Sequence, residues 1–270
     1  MSCRFLYLDT NIWSHLAKDS QYWAPLGRYL AREGMVLGVS GAQLVELSDA
    51  QGLHSALCAL FDSLPCALTK PWDQIMSEEF RAYPAPRRDS LLLCDLRAAM
   101  SQSSAGVLGQ LLLSPDKWRA VRQQQRRNAE QMSSRLAQRK STFPPSSTGY
   151  YTVKQAGLFA DLQVIQWLAQ IFGELPSCQH DGKMEFHPEV FSSIRLYALV
   201  VFYKYYLQQR EARRQSDFGD LFHLFPVPYC ELVVLERDLC EILRQIGRRC
   251  DVLRSTRVCN IDWLEGLVSS

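Results

Sequence analysis

Arg4-Phe-Leu-Tyr-Leu8, followed at once by Asp9-Thr10-Asn11, decides the reading of this chain. Arg4 leads a short apolar run rich in aromatic side chains, the pattern of a strand buried on both faces. The polar triplet that ends the run suits the start of a helix, and Ile12, Trp13 and Leu16 then recur at helical spacing. Met35 to Val39 repeats the buried-strand pattern. Ser40 follows with Gln43 three residues on, a capping box that opens a helix to about Asp49. A helical stretch from Gly52 to Leu64 and a short strand candidate, Cys66 to Thr69, complete the series. Strand–helix–strand–helix–strand predicts an α/β fold, a parallel sheet with helices on its faces.

From Pro71 to about His187 the pattern is helical and contains no convincing strand. Proline-rich breakers at Tyr83 to Arg88 and Thr142 to Gly149 bracket a long polar helix candidate, Lys117 to Lys140. An amphipathic helix over Lys154 to Phe172 follows, and Cys178 to His187 reads as a loop. Alternation then resumes. A helix begins at Pro188 and runs to about Gln215, and Ser216 can cap another that Pro226 and Pro228 stop. Glu231 to Leu235 reads as a buried strand, followed by a helix to about Ile246 and a last strand near Val252. No internal repeat is visible.

At 270 residues the chain is one large domain or two small ones, with a hydrophobic share of 47% and a charged share of 21%. Those proportions exclude a disordered or collagen-like protein. The net charge of +2 conceals segregation. Between Pro115 and Thr142 eight bases face two acids, so this segment carries +6 and the remainder −4. Nine scattered cysteines, with no leader pattern at the amino end, point to a reducing, cytoplasmic setting. The apolar run Leu196 to Tyr203 is too short to span a bilayer, so no membrane partner is expected.

Four acids fall where an α/β sheet binds ligands. Asp9 ends the first strand and Asp238 lies just past the end of the fourth in the series, Glu231 to Leu235. In open α/β sheets the binding crevice lies outside the carboxyl ends of strands. Glu46 sits on the helix leaving the second strand and Asp220 on the one entering the fourth, so all four can meet at one sheet edge. Gathered carboxylates repel unless protonated or holding a cation, and oxygen-only ligands favour Mg²⁺ or Mn²⁺ over zinc. Such a site suits phosphodiester hydrolysis, where metals activate water and neutralise the leaving oxygen. Asp217, one helical turn before Asp220, is an alternative third acid.

Phe5-Leu-Tyr-Leu-Asp-Thr-Asn-Ile-Trp13, Val39-Ser-Gly-Ala-Gln-Leu-Val-Glu46, Asp220 and Val234-Leu-Glu-Arg-Asp238 resemble the PIN-domain nuclease family. The hydrophobic–Asp–Thr–Asn opening is the most specific element. The intervals of six from Ser40 to Glu46 and eighteen from Asp220 to Asp238 also fit. The resemblance covers about residues 1–70 and 215–260. It implies a three-layer α/β/α domain with a central parallel sheet that cuts RNA with Mg²⁺ or Mn²⁺. Asp9, Glu46, Asp220 and Asp238 would be the carboxylate ligands, while Thr10, Asn11 and Ser40 would support them or cap helices. The 174 positions between Glu46 and Asp220 exceed the compact family pattern, which makes residues 71–187 a mainly helical insertion. Residues 1–70 and 188–270 would then be the two parts of one PIN-like domain.

Other features divide between structural and functional readings. His223, one turn after Asp220, can orient that carboxylate or a phosphate, or be a satisfied buried histidine. Arg119, Arg122, Arg126, Arg127, Arg135, Arg139 and Lys140 can contact an RNA backbone, lie on a solvated helix, or meet an acidic protein. Cys178, His180 and His187 hold atoms suited to zinc, but three candidates at irregular spacing argue against it. Tyr229 and the aromatic run Tyr197, Phe202, Tyr203, Tyr205 and Tyr206 read as packing, and Cys230, Cys240 and Cys250 as small buried residues. Ser114-Pro-Asp-Lys117 matches a nucleophile pattern whose companion motifs are missing, and no phosphate-binding glycine loop occurs. The expectation is a metal-dependent endoribonuclease, as a toxin, a defence effector or a processing enzyme, with an inhibitory or regulatory protein partner or self-association. A catalytically weak scaffold that binds nucleic acid or a partner protein, and a DNA nuclease of related fold, are the alternatives.

Overall fold

A computed structural model describes residues 4–85, 104–113, 118–119, 122–123, 127, 130, 143–180, 183–210 and 220–269. The chain runs β1 (Arg4–Leu8), α1 (Thr10–Lys18), α2 (Trp23–Glu33), β2 (Met35–Val39), α3 (Gly41–Leu47), α4 (His54–Ser63) and β3 (Cys66–Leu68). Then come α5 (Trp72–Arg81), α6 (Ser104–Leu112), α7 (Lys154–Phe172), β4 (Cys178–His180), β5 (Lys183–Glu185) and α8 (Ser192–Val201). β6 (Leu232–Val234), α9 (Arg237–Gly247), β7 (Arg257–Cys259) and α10 (Asp262–Val268) complete it.

Five strands form a parallel sheet in the order β3-β2-β1-β6-β7. Arg4 to Tyr7 align with Met35 to Gly38 on one side of β1, and Leu6 to Leu8 with Leu232 to Val234 on the other. Side chains alternate across a strand, and here the alternation divides the interior in two. Phe5, Tyr7 and Val233 enter one core with residues of α5, α7, α8 and α9. Leu6, Leu8, Leu232 and Val234 enter the other with residues of α1, α2, α3, α4, α6 and α10. Helices therefore cover both faces of the sheet, which explains why β1 and β6 are apolar without alternation. The described residues of the stretch 71–187 are mainly helical, and Ile75, Met76, Phe159, Val164, Leu168 and Leu112 join these same two cores.

Local chemistry places the ends of elements. Asp9 caps α1, its Oδ1 accepting from the Thr10 N–H at 2.7 Å. Ser40 and Gln43 form both halves of the capping box at the start of α3. Gly34, in the left-handed region at φ 61°, stops α2 so that β2 can begin at once.

Four details differ from the sequence reading. Cys178–His180 and Lys183–Glu185 pair as an antiparallel hairpin instead of a loop. The last strand is Arg257–Cys259, whereas Val252 lies in the short 3-10 turn Asp251–Leu253. The helix expected from Pro188 begins with a 3-10 turn and passes from α8 into a π-helical turn, Phe202–Leu207. Gln209 follows at φ 50°. The helix expected around Asp220 and His223 is a 3-10 turn, Asp220–Leu224, because Pro226 leaves no room for more.

Tyr197, Phe202, Tyr203, Tyr205 and Tyr206 are buried, as is fitting for core packing. Tyr229 does more than pack. Its hydroxyl donates to Glu79 of α5, which is fully buried and also accepts from the Ser193 N–H at 2.9 Å. The second Glu79 oxygen, Oε2, is buried without a hydrogen bond. Burial pushes the Glu79 carboxyl up from 4.5 to about 7, against its bonds to Tyr229 and Ser193.

Candidate functional site

The strand order reverses at β1. β2 and β3 follow on one side, and β6 and β7 lie on the other. Ligands of open α/β sheets bind at such a reversal, outside the strands' carboxyl ends. Asp9 stands at that end of β1 and its N–H continues the ladder to the Val234 carbonyl at 2.9 Å. The carboxylate thus projects where the loops after β1 and β6 part. Oδ1 is taken by the Thr10 N–H, and Oδ2 accepts from the Glu236 N–H at 3.3 Å.

Glu46 comes to the same edge from α3. The Nε2 of His223 meets its Oε1 at 2.8 Å. Burial alone would push the Glu46 carboxyl up, but the charge and hydrogen bond of His223 hold it below its usual value. The Thr10 N–H bonds Asp9, while its buried hydroxyl finds no hydrogen-bond partner among the described residues. His223 is buried, and its other ring nitrogen, Nδ1, lies 3.4 Å from the Tyr7 hydroxyl and 3.5 Å from Ser40 Oγ. His223 is thus the buried, satisfied histidine of the sequence alternatives, and Glu46 is a partner that the sequence did not offer.

Asp238 opens α9 and is engaged differently. The Arg210 guanidinium grips it in a fork, at 2.7 Å to Oδ2 and 2.6 Å to Oδ1. Those bonds hold the Asp238 carboxyl below its ordinary value against partial burial, and the charges of Arg210 and Lys204 add to the effect. Glu236, which the sequence reading passed over for Asp238 two residues on, sits between them. Burial and the charge of Asp9 push its carboxyl up, Lys204 opposes them, and Asp238 adds to the rise.

Asp220 begins its 3-10 turn at the entry to β6, and only its backbone is described. Asp217 lies outside the described residues, as do Arg126, Arg135, Arg139 and Lys140. Asn11 is exposed on the first turn of α1. Ser40 serves as the cap of α3 and as a neighbour of His223. Arg119 and Arg127 are exposed, but Arg122 turns inward to Ser48 and to Asp49 at 2.9 Å, so its charge is spent on the end of α3. His187 is taken up by Glu189 at 3.2 Å and Glu185 at 3.5 Å. Among the described residues no three His, Cys, Asp or Glu side chains form a group of metal-binding dimensions. No described helix is long and apolar enough to cross a membrane.

The sheet edge therefore joins Asp9 to Glu236 through a backbone bond, with Glu46 held by His223 and Asp238 in the grip of Arg210. Comparison with protein-family models, with curated proteins and with solved structures finds no match.

Proposed function

We propose that the chain is a PIN-like, divalent-metal-dependent endoribonuclease whose acids at the β1/β6 reversal act on an RNA phosphodiester. The observation that carries this reading is the placement of Asp9 and Glu236 at the carboxyl ends of the two adjacent strands β1 and β6, bonded to each other, with Glu46 brought in on α3 and held by His223. The donor set fits a hard divalent cation, because it is made of carboxylate oxygens. It also fits in charge: Asp9, Glu236 and Asp238 share this edge with the two permanent cations Lys204 and Arg210, which leaves an anionic excess.

Asp9 and Glu46 would hold Mg²⁺ or Mn²⁺, with Asp238 and either Asp220 or Asp217 completing the set. The ion would supply Lewis-acid charge at the scissile phosphate. The chain's own work is positional. The cap bond to the Thr10 N–H would orient Asp9, His223 would orient Glu46, and Arg210 would leave Asp238 to the cation by turning to the substrate phosphate. Arg119 and Arg127, exposed on the basic segment, would meet the RNA backbone. A regulatory protein partner and self-association belong to the same reading, as does a toxin or defence role.

Incubation with labelled single-stranded RNA, structured RNA and DNA in Mn²⁺ or Mg²⁺ tests it. RNA cleavage that EDTA abolishes is expected, and Asp9→Asn and Asp238→Asn should each lower it on the order of 10- to 100-fold or more. Wild-type rates in both variants would sink the mechanism, and preferential cutting of DNA would transfer it to that substrate. A second reading, a scaffold that binds nucleic acid without cutting it, is favoured by the Arg210 fork that already satisfies Asp238. Tight RNA binding with no cleavage in either metal would establish that reading instead.

A further inference from the structure

Three polar side chains converge behind Glu46 in a part of the molecule that the rest of the sheet keeps apolar. Tyr7 comes from β1, two residues before Asp9, and is fully buried. Ser40 comes from the end of β2 and His223 from the turn that leads to β6, and both are buried. The Tyr7 hydroxyl and Ser40 Oγ are 3.1 Å apart, and each faces Nδ1 of His223 at 3.4–3.5 Å. A buried polar group is costly unless bonded, so two hydroxyls gathered at one buried histidine nitrogen call for a purpose beyond packing.

The ring is held from both sides. Ser40 Oγ accepts the Gln43 N–H at 3.2 Å as the cap of α3, so its place beside Nδ1 is fixed by the helix start. Tyr7 reaches the same nitrogen from β1. On the far side of the ring Nε2 lies 2.8 Å from Glu46 Oε1, so the two strand ends set where that nitrogen meets the carboxylate.

We infer that Tyr7 and Ser40 form a brace that holds the His223 ring and thereby keeps the Glu46 carboxylate in the orientation a divalent cation requires. His223 is a positioning residue acting through Glu46, as the outer partners of metal ligands do elsewhere. The inference rests on the metal reading of this edge, and it adds Tyr7 and the joint action of positions 7, 40 and 223, contributed by three separate parts of the chain. It also explains why a histidine is used in preference to a longer amine. The ring is flat and stiff enough to span from two strand ends to α3 while its two nitrogens serve opposite sides.

The test compares His223→Asn, which keeps a polar atom near Tyr7 and Ser40 but cannot reach Glu46, with His223→Gln, whose amide can donate to Glu46. Mn²⁺ binding to the purified protein is measured by electron paramagnetic resonance, thermal unfolding is followed in parallel, and metal-free crystal structures are determined. His223→Asn should weaken Mn²⁺ on the order of 10- to 100-fold and let the Glu46 carboxylate leave its wild-type position. His223→Gln should restore binding to within about threefold and keep the carboxylate in place, even if its melting temperature falls as far as that of His223→Asn. Equal Mn²⁺ affinity in wild type and His223→Asn would overturn the brace and leave the nuclease reading standing. A wild-type protein that binds no Mn²⁺ would overturn the nuclease reading and the brace's role with it. Affinity that follows the melting temperature in both variants, with no rescue by glutamine, would reduce His223 to a packing residue.

Discussion

Glu79→Gln is the substitution whose consequence follows most directly from the fold. Glu79 is fully buried on α5, bonded to Ser193 and Tyr229, with one oxygen unsatisfied. Its carboxyl rises from 4.5 to about 7 because burial disfavours the charge. The folded state therefore holds the proton more tightly than the unfolded state between those values. The stability due to the neutral form is complete below 4.5 and is lost as pH rises through about 7. At about 1.36 kcal/mol per pH unit, the span is worth about 3 kcal/mol. Glutamine is neutral at every pH and keeps an oxygen to accept from Ser193 and Tyr229, so it removes the titration without removing those bonds. Denaturant unfolding of wild type and Glu79→Gln at pH 5 and pH 8 gives the comparison. The stability of Glu79→Gln relative to wild type should rise by about 3 kcal/mol from pH 5 to pH 8. That corresponds to a relative gain in melting temperature of roughly 6–12 °C for a chain near this size. A difference between the two proteins that stays constant from pH 5 to pH 8 would refute the reasoning.

Asp9→Asn should separate chemistry from folding. Asparagine caps a helix about as well as aspartate, so unfolding free energy should change by less than about 1 kcal/mol while Mn²⁺ binding falls, and calorimetry beside metal titration reads both. Arg210→Ala removes an exposed pair of the kind that contributes about 0–1 kcal/mol, so the melting temperature should scarcely move. Mn²⁺ affinity in that variant should rise, because Asp238 loses the cation that now occupies it; an unchanged affinity would place Asp238 outside the metal set.

How far the sequence foretold this arrangement depends on the range of each interaction. β1, β2 and β6 were legible because a strand buried on both faces has no polar alternation to confuse it, and Asp9 followed from where the first run stops. The capping box at Ser40 and Gln43 is local in sequence and was legible for that reason. β7 was misplaced because Asp251-Val-Leu253 is the more apolar segment, while Arg257-Val-Cys259 is an edge strand of three residues that borrows its order from β6. The Cys178–His180 hairpin was hidden by polar residues on both of its strands. Glu79 looks like a solvated residue in Glu78-Glu79; only Tyr229 and Ser193, brought in from over a hundred positions away, show it buried. For His223 a pattern offers only near partners such as Asp220, and its bond to Glu46, 177 positions distant, was out of reach. Glu236 was overshadowed by Asp238, and its bond from the backbone to Asp9 has no signature in composition or spacing.

The central claim, that the acids at the β1/β6 reversal hold a divalent cation, is tested most directly by a crystal soaked in Mn²⁺ and examined for anomalous scattering. The account predicts a peak at about 2.0–2.6 Å from carboxylate oxygens of both Asp9 and Glu46, with Arg210 withdrawn from Asp238. A fully soaked crystal with no peak at this edge, or with manganese bound only elsewhere, would contradict it.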